Sequence, residues 1–168
     1  MKLRFITVGG TIDKIYFDQL SKYQIGAPGV QRMLLDLPVA FEYTIESVLR
    51  KDSLDMTTED RQLVRQAVEM CPEQHLVITH GTDTMIETAR VLIGIPGKRI
   101  VLTGAIQPAN FSHSDATFNI GMAIGVVITQ PVAGVWITMS GQVFDPLKAR
   151  KNRERGRYQD ALSRPQER

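Results

Sequence analysis

Leu76-Val77-Ile78-Thr79-His80-Gly81-Thr82-Asp83-Thr84 runs from apolar residues through a glycine turn into a cluster of hydroxyl and carboxylate side chains. A short apolar run closed by a turn reads as a strand buried on both faces, as in a parallel sheet. Glu87, Thr88, Ala89, Val91, Leu92 and Ile93 follow with helical spacing, and Gly94 and Pro96 end them. The chain opens the same way. In Phe5-Ile6-Thr7-Val8-Gly9-Gly10-Thr11-Ile12-Asp13, a buried strand over residues 3–8 meets two glycines and a second threonine. Strand carboxyl ends converge on one edge of an open α/β sheet, so Thr11 and Thr82 are expected to face a shared crevice.

The remaining segments continue the alternation. Val30, Met33, Leu34 and Leu37 have helical spacing up to Pro38, after a polar loop that carries aromatic residues. Phe41, Tyr43, Ile45 and Ser47 alternate as a strand does. Thr57 and Asp60 are spaced as a capping box ahead of a helix through Leu63, Val64, Ala67, Val68 and Met70. The strand read above spans 75–79, and residues 100–102 and 134–139 read as further strands. Ser114-Asp115 is placed to cap a helix through Phe118, Met122, Ile124, Val127 and Ile128. The expected architecture is α/β: an open, mostly parallel sheet with helices on both faces, in one domain over residues 1–168.

Bulk properties exclude several function classes. An apolar fraction of 43% with 23% charged residues is ordinary for a soluble globular chain, and 168 residues suffice for a full core. A net charge of +2 requires no acidic partner. Cys71 is the only cysteine, so no intrachain disulfide can form. It has no evident thiolate-stabilising neighbour, which makes it a bystander. The opening apolar run is too short for a signal peptide, and no stretch has the length of a membrane helix. The expected setting is cytoplasmic. His75, His80 and His113 are scattered without zinc-like spacing, so neither a metal nor an organic cofactor is expected.

Basic residues crowd the end: Lys148, Arg150, Lys151, Arg153, Arg155, Arg157, Arg164 and Arg168. Such a run usually forms a solvated face. Nucleic-acid binding by an inactive core is the competing reading. Against it, the charges are not interleaved with aromatic residues, Tyr158 being alone among them.

Gly9-Gly10-Thr11 fits neither phosphate-loop spacing, and no lysine follows where such a loop needs one. Two hydroxyls, a carboxylate and exposed turn amides suit acyl transfer or amide hydrolysis. His80 reads as a hydrogen-bonded strand-end histidine rather than a catalyst.

Val8-Gly9-Gly10-Thr11-Ile12 and His80-Gly81-Thr82-Asp83-Thr84-Met85-Ile86-Glu87-Thr88-Ala89 resemble the two signature motifs of the bacterial-type L-asparaginase and glutaminase family. Tyr23-Gln24-Ile25-Gly26 resembles the tyrosine-bearing lid, and Ser53-Leu54-Asp55-Met56 the serine segment that binds the substrate's α-carboxylate. Met139 through Lys151, with Val143 and Asp145 between, resembles the segment bearing an active-site lysine. The likeness covers nearly all of this chain and the family's amino-terminal domain only, a Rossmann-like three-layer unit. In fuller members the second domain of a neighbouring protomer helps bind the substrate's amino group. A homodimer or higher homo-oligomer is therefore expected to complete the site.

The resemblance implies hydrolysis of L-asparagine to L-aspartate and ammonia. Thr11 would be the nucleophile, with Tyr23 on a mobile lid beside it. Thr82, Lys151 and Asp83 would form a second, hydrogen-bonded triad. Gly10, Ser53, Gly81, Thr82 and Asp83 would bind the substrate. L-Glutamine is the alternative substrate, and the amidase-like component of a transfer-RNA amidotransferase is a related possibility. A difference of one methylene is worth about 1–3 kcal/mol, too little to read from residue types. Neither lysine nor tyrosine is poised as a base in its free form, so the proton acceptor stays open. Attack through an acyl-enzyme and direct attack by water both stay open as well. Three departures from the family pattern stand out. Val8 replaces a threonine, Asp13 stands where alanine is frequent, and Lys51-Asp52 precede Ser53 where small residues are usual.

Overall fold

The computed structural model describes residues 1–17, 22–35, 37–152 and 156–160. Its core is a six-stranded sheet. The first strand, β1 (Lys2–Gly9), runs parallel between β4 (Glu42–Lys51) and β5 (His75–Thr79). Beyond β5 lie β6 (Arg99–Thr103) and β7 (Gly134–Met139), both parallel, and then β8 (Gln142–Phe144), which is antiparallel to β7. The spatial order is β4-β1-β5-β6-β7-β8.

Side chains alternate across each strand, and the helices seal both faces. Leu3 and Phe5 of β1, Val77 of β5 and Val101 of β6 meet α1 (Gly29–Leu35) through Val30 and Leu34. The same layer takes Ala116, Ile120, Ala123 and Val127 of α4 (Ala116–Thr129). Ile6, Val8, Leu76, Ile78, Ile100 and Leu102 face the opposite way. They pack on Val64 and Val68 of α2 (Thr58–Met70) and on Met85, Ile86 and Ala89 of α3 (Met85–Val91). Complete burial of each such side chain stabilises by about 1.5–3 kcal/mol. Double-faced burial explains the unbroken apolar runs Leu76–Ile78 in β5 and Ile100–Leu102 in β6.

The sequence reading and the structure part company in the connections. The aromatic-bearing stretch after β1 contains a hairpin, β2 (Lys14–Phe17) against β3 (Lys22–Ile25). The charged run near the end also forms a hairpin, β9 (Ala149–Asn152) with β10 (Arg157–Asp160). Arg153, Arg155, Arg164 and Arg168 lie outside the described residues. The first helix is described over Gly29–Leu35, and Leu37, expected on its apolar face, is half-exposed. Thr57 and Asp60 do form a capping box, each side chain accepting the other's amide. Asp115 does not cap α4. Its carboxylate takes the amides of Ile106 and Gln107 at 3.0 Å, and the Ser114 hydroxyl accepts the Ala116 amide instead. Cys71 is free and buried, and burial pushes its thiol up. No helix among the described residues is long and apolar enough to cross a membrane.

Candidate active site

Because β1 and β5 are neighbours in register, Thr7 opposite Thr79, the turns that follow them are brought side by side. Gly10 adopts φ +89, and a carbon built in the Cβ position there would fall 2.3 Å from the Gly81 amide nitrogen. The backbones of the Thr11 and Thr82 turns are thus in contact, with glycine on both sides of it. Thr11 opens a 3-10 turn to Asp13 and is half-buried. Among the described residues the Thr11 hydroxyl has no hydrogen-bond partner.

Thr82 is buried, and its hydroxyl accepts a bond from Lys151 Nζ at 2.7 Å. The same ammonium donates to Asp83 Oδ1 at 2.7 Å, and only 11% of the Lys151 side chain is exposed. Lys151 therefore bridges two residues of the β5 turn from the β9–β10 hairpin, 69 positions beyond Thr82 in the chain. It is not part of a solvated face.

Ser53 forms the third wall. It begins a 3-10 turn after β4, is 1% exposed, and a carbon on Gly81 would lie 2.6 Å from its hydroxyl oxygen. That hydroxyl is buried, with no hydrogen-bond partner among the described residues. A buried hydroxyl left without a partner costs free energy. The Thr84 hydroxyl donates to the Ser53 carbonyl at 2.7 Å, tying this wall to the β5 turn. The charges before Ser53 are both occupied. Lys51 grips Asp60 at 2.8 Å, and Lys14 grips Asp52 at 2.7 Å. Along the chain, Lys51 would attract and Asp52 repel a ligand carboxylate; these pairs mute both effects.

Tyr23 stands on the β2–β3 hairpin, 52% exposed. Its ring packs edge-on to Tyr16 at 5.5 Å and lies 6.5 Å from Phe111. It is not hydrogen-bonded to Thr11. His80 is wholly buried between the Gly81 carbonyl and the Thr88 hydroxyl, each at 2.8 Å. Facing a carbonyl, Nδ1 must be the donor, which leaves Nε2 to accept from Thr88. Burial lowers its pKa from 6.5 to about 4, so the ring is neutral and structural.

Asp13 behaves in the opposite sense. Its carboxylate accepts the Gly29 amide at 2.7 Å, yet burial raises its pKa from 3.8 to about 6. A raised acid stabilises the fold fully below pH 3.8, and that contribution is lost as pH climbs through 6. For His80 the contribution is complete above pH 6.5 and lost as pH falls through 4. Each is worth roughly 3 kcal/mol, so the two slopes oppose one another between about pH 4 and 6. Asp13→Asn keeps an acceptor for Gly29 but removes the titration. Its thermal midpoint should exceed wild type at about pH 7.5, with the gain shrinking steadily on acidification and vanishing near pH 4. A gain independent of pH would refute this account.

Two contributors were not visible as such in the sequence. Asn119 is fully buried in α4, donating to the Gly104 carbonyl at 2.9 Å while accepting the Ser140 amide at 3.0 Å. It fastens the end of β6 to the end of β7. Nothing in an apolar helix pattern singles out such an asparagine. Tyr158 on β10 donates to the Thr82 carbonyl at 2.5 Å. Its only sequence signal is Gly156, a turn residue between two short segments. Among the described residues no group of three or more histidine, cysteine, aspartate or glutamate side chains is arranged to hold a metal ion.

The chain belongs to the asparaginase family: residues 2–166 match the domain described as "Asparaginase, N-terminal". A glutamyl-tRNA(Gln) amidotransferase component of Methanococcus vannielii is 39% identical over 74 residues, 43% of this chain and 17% of that protein. L-asparaginase 1 of Escherichia coli K12 is 32% identical over 98 residues, 55% of this chain and 29% of that one. Among solved structures, the thermostable L-asparaginase from Thermococcus kodakarensis superposes with TM-score 0.82 at 24% identity. The match covers 95% of this chain and 51% of that one. L-asparaginase I from Vibrio cholerae gives 0.74 at 26%, covering 90% and 48%. The chain spans about half the length of these solved proteins and less of the other two.

Proposed function

We propose that this protein is an amidohydrolase that converts L-asparagine and water to L-aspartate and ammonia. The observation that carries the reading is the Thr82–Lys151–Asp83 arrangement, two 2.7 Å contacts on the turn that abuts the Thr11 turn. Thr11 is assigned as nucleophile because its hydroxyl has no hydrogen-bond partner among the described residues and its turn abuts that of Thr82. Its oxygen adds to the carboxamide carbon, its proton passes to the departing nitrogen, and ammonia leaves. Water then cleaves the ester and restores the threonine. Lys151, held by Asp83, orients the Thr82 hydroxyl toward the reacting group. Ser53 and Asp83 bind the amino-acid end of the substrate, with the buried Ser53 hydroxyl taking a carboxylate oxygen. Gly10 and Gly81 let the backbone approach. Tyr23 serves as a lid from the half-exposed hairpin.

The setting proposed is cytoplasmic, where a lone buried thiol persists reduced. Association of two copies over the crevice edge belongs to the same proposal, and the exposed Tyr16, Tyr23 and Phe111 rings supply apolar surface there.

A second reading, hydrolysis of L-glutamine or service as part of an amidotransferase, is favoured by the Methanococcus vannielii likeness. The nucleic-acid reading is weakened by Lys151, whose charge is committed to Asp83. Ammonia release over concentration series of L-asparagine and L-glutamine separates these. The expected result is turnover of both with higher kcat/KM for L-asparagine. No release from either amide at millimolar concentration would defeat the proposal.

A further inference from the structure

The β9–β10 hairpin holds Thr82 at two points. Lys151 donates to its hydroxyl at 2.7 Å, and Tyr158 donates to its main-chain carbonyl at 2.5 Å. Tyr158 and Lys151 are direct cross-strand partners. In an antiparallel pair such residues present their side chains on one face, so one face of the hairpin carries both contacts. Tyr158 is only 7% exposed, and its ring leans on Phe144 at 5.8 Å. Arg150 and Arg157, the neighbours of these two residues on their strands, point outward and are exposed. Tyr158 and Ala149, both in the core, seat the hairpin beside the lysine. Burial and the nearby Asp83 and Glu87 carboxylates raise the phenol's pKa, so it stays a donor and cannot serve as a base.

We propose that Tyr158 is a positioning residue: it fixes the Thr82 peptide and, through the β9–β10 ladder, holds the Lys151 ammonium on Thr82 and Asp83. The catalytic arm of this inference rests on the amidohydrolase reading, whereas the structural arm does not. Removing the phenol leaves the Thr82 carbonyl without that donor and frees the hairpin to drift. Lys151 then loses one or both of its contacts, while the Ser53 wall, which Tyr158 does not touch, is undisturbed.

Tyr158→Phe keeps the ring and removes only the donor. Its kcat for ammonia release should fall about 10- to 100-fold, the scale of one buried hydrogen-bond donor, with KM shifting less than about twofold. A second measurement needs no turnover. Reductive methylation of Lys151, followed by peptide mass mapping, should accelerate about fivefold or more, the effect of losing a contact worth about 1 kcal/mol. Lys98, held by the Cys71 and Glu73 carbonyls, should react at its wild-type rate and reports on the rest of the fold. Wild-type kcat together with wild-type methylation of Lys151 would overturn the proposal. Equal acceleration at Lys98 would do so too, because it would mean general loosening. If the unaltered protein releases no ammonia, the function is wrong, and the methylation pattern still decides the role of Tyr158.

Discussion

Thr11→Val and Thr82→Val should each abolish measurable ammonia release from L-asparagine while the protein stays folded. Valine fills nearly the same space as threonine but cannot attack a carbonyl or accept a proton-relaying bond. At position 11 the loss should be about 10³-fold or greater, because the proposed acyl bond has no other oxygen to form on. At position 82 about 10²- to 10⁴-fold is expected, the usual contribution of a positioned proton-transfer group. In the latter variant Lys151 keeps its 2.7 Å bond to Asp83, so the ammonium is not stranded. Circular dichroism and thermal midpoints within a few degrees of wild type would confirm that chemistry, not folding, was lost. Turnover at the unaltered rate in either variant would remove that threonine from the site.

Gly10→Ala should be as damaging by a different route. With φ +89 and ψ −174, Gly10 occupies a region of backbone space that is essentially closed to other residues. The added carbon would also meet the Gly81 amide nitrogen at 2.3 Å and the Gly81 α-carbon at 2.4 Å. Backbone on the receiving side cannot rotate away as a flexible side chain would. Strain of about 1–3 kcal/mol and overpacking of about 1–3 kcal/mol add to a large share of a typical fold's stability. The turns must part by about an ångström or more, and misplacement on that scale can cost about 10²-fold in rate even where the protein stays folded. Gly125→Ala in α4 is the matched control, since a carbon there meets nothing within 4 Å. It should be neutral or slightly stabilising, as alanine is in a helix. Equal melting of both variants would show that the contact between the two turns carries no weight.

The parts of the fold that could be read in advance are those where burial alone selects the residues. Val77 and Ile78 face opposite helical layers, so both had to be apolar, and the strand showed in the sequence. The hairpins did not show, because other forces hold them. Tyr16 and Tyr23 pack edge to face at the surface, and β9–β10 is fastened through Tyr158 to a carbonyl far away in sequence. Neither leaves a periodic trace. The glycine turns carrying Thr11 and Thr82 were legible as turns: Gly9 and Gly10 take positive φ, and Gly81 has no room for a side chain against Ser53. A shared crevice for them was expected from the sheet edge, but the direct contact of their backbones was not, because it depends on β1 lying beside β5, and strand order is a property of the assembled sheet. The same limit explains Lys51 and Asp52. Read along the chain they are opposed charges beside a ligand. In space each has its own counter-ion on another element.

The insertion of β1 between β4 and β5 also governs when competence is gained during folding. Every ladder beside β1 joins residues about forty or more positions apart, and β5 cannot dock before that loop has closed. Contacts of such long range make for slow assembly, as in other folds dominated by them. Local helices such as α2 can form early, yet they bring no threonine nearer to its counterpart. Lys151 arrives from still later in the chain, so the Thr82–Lys151–Asp83 contacts on which the proposed function rests form only after nearly all of these residues have emerged.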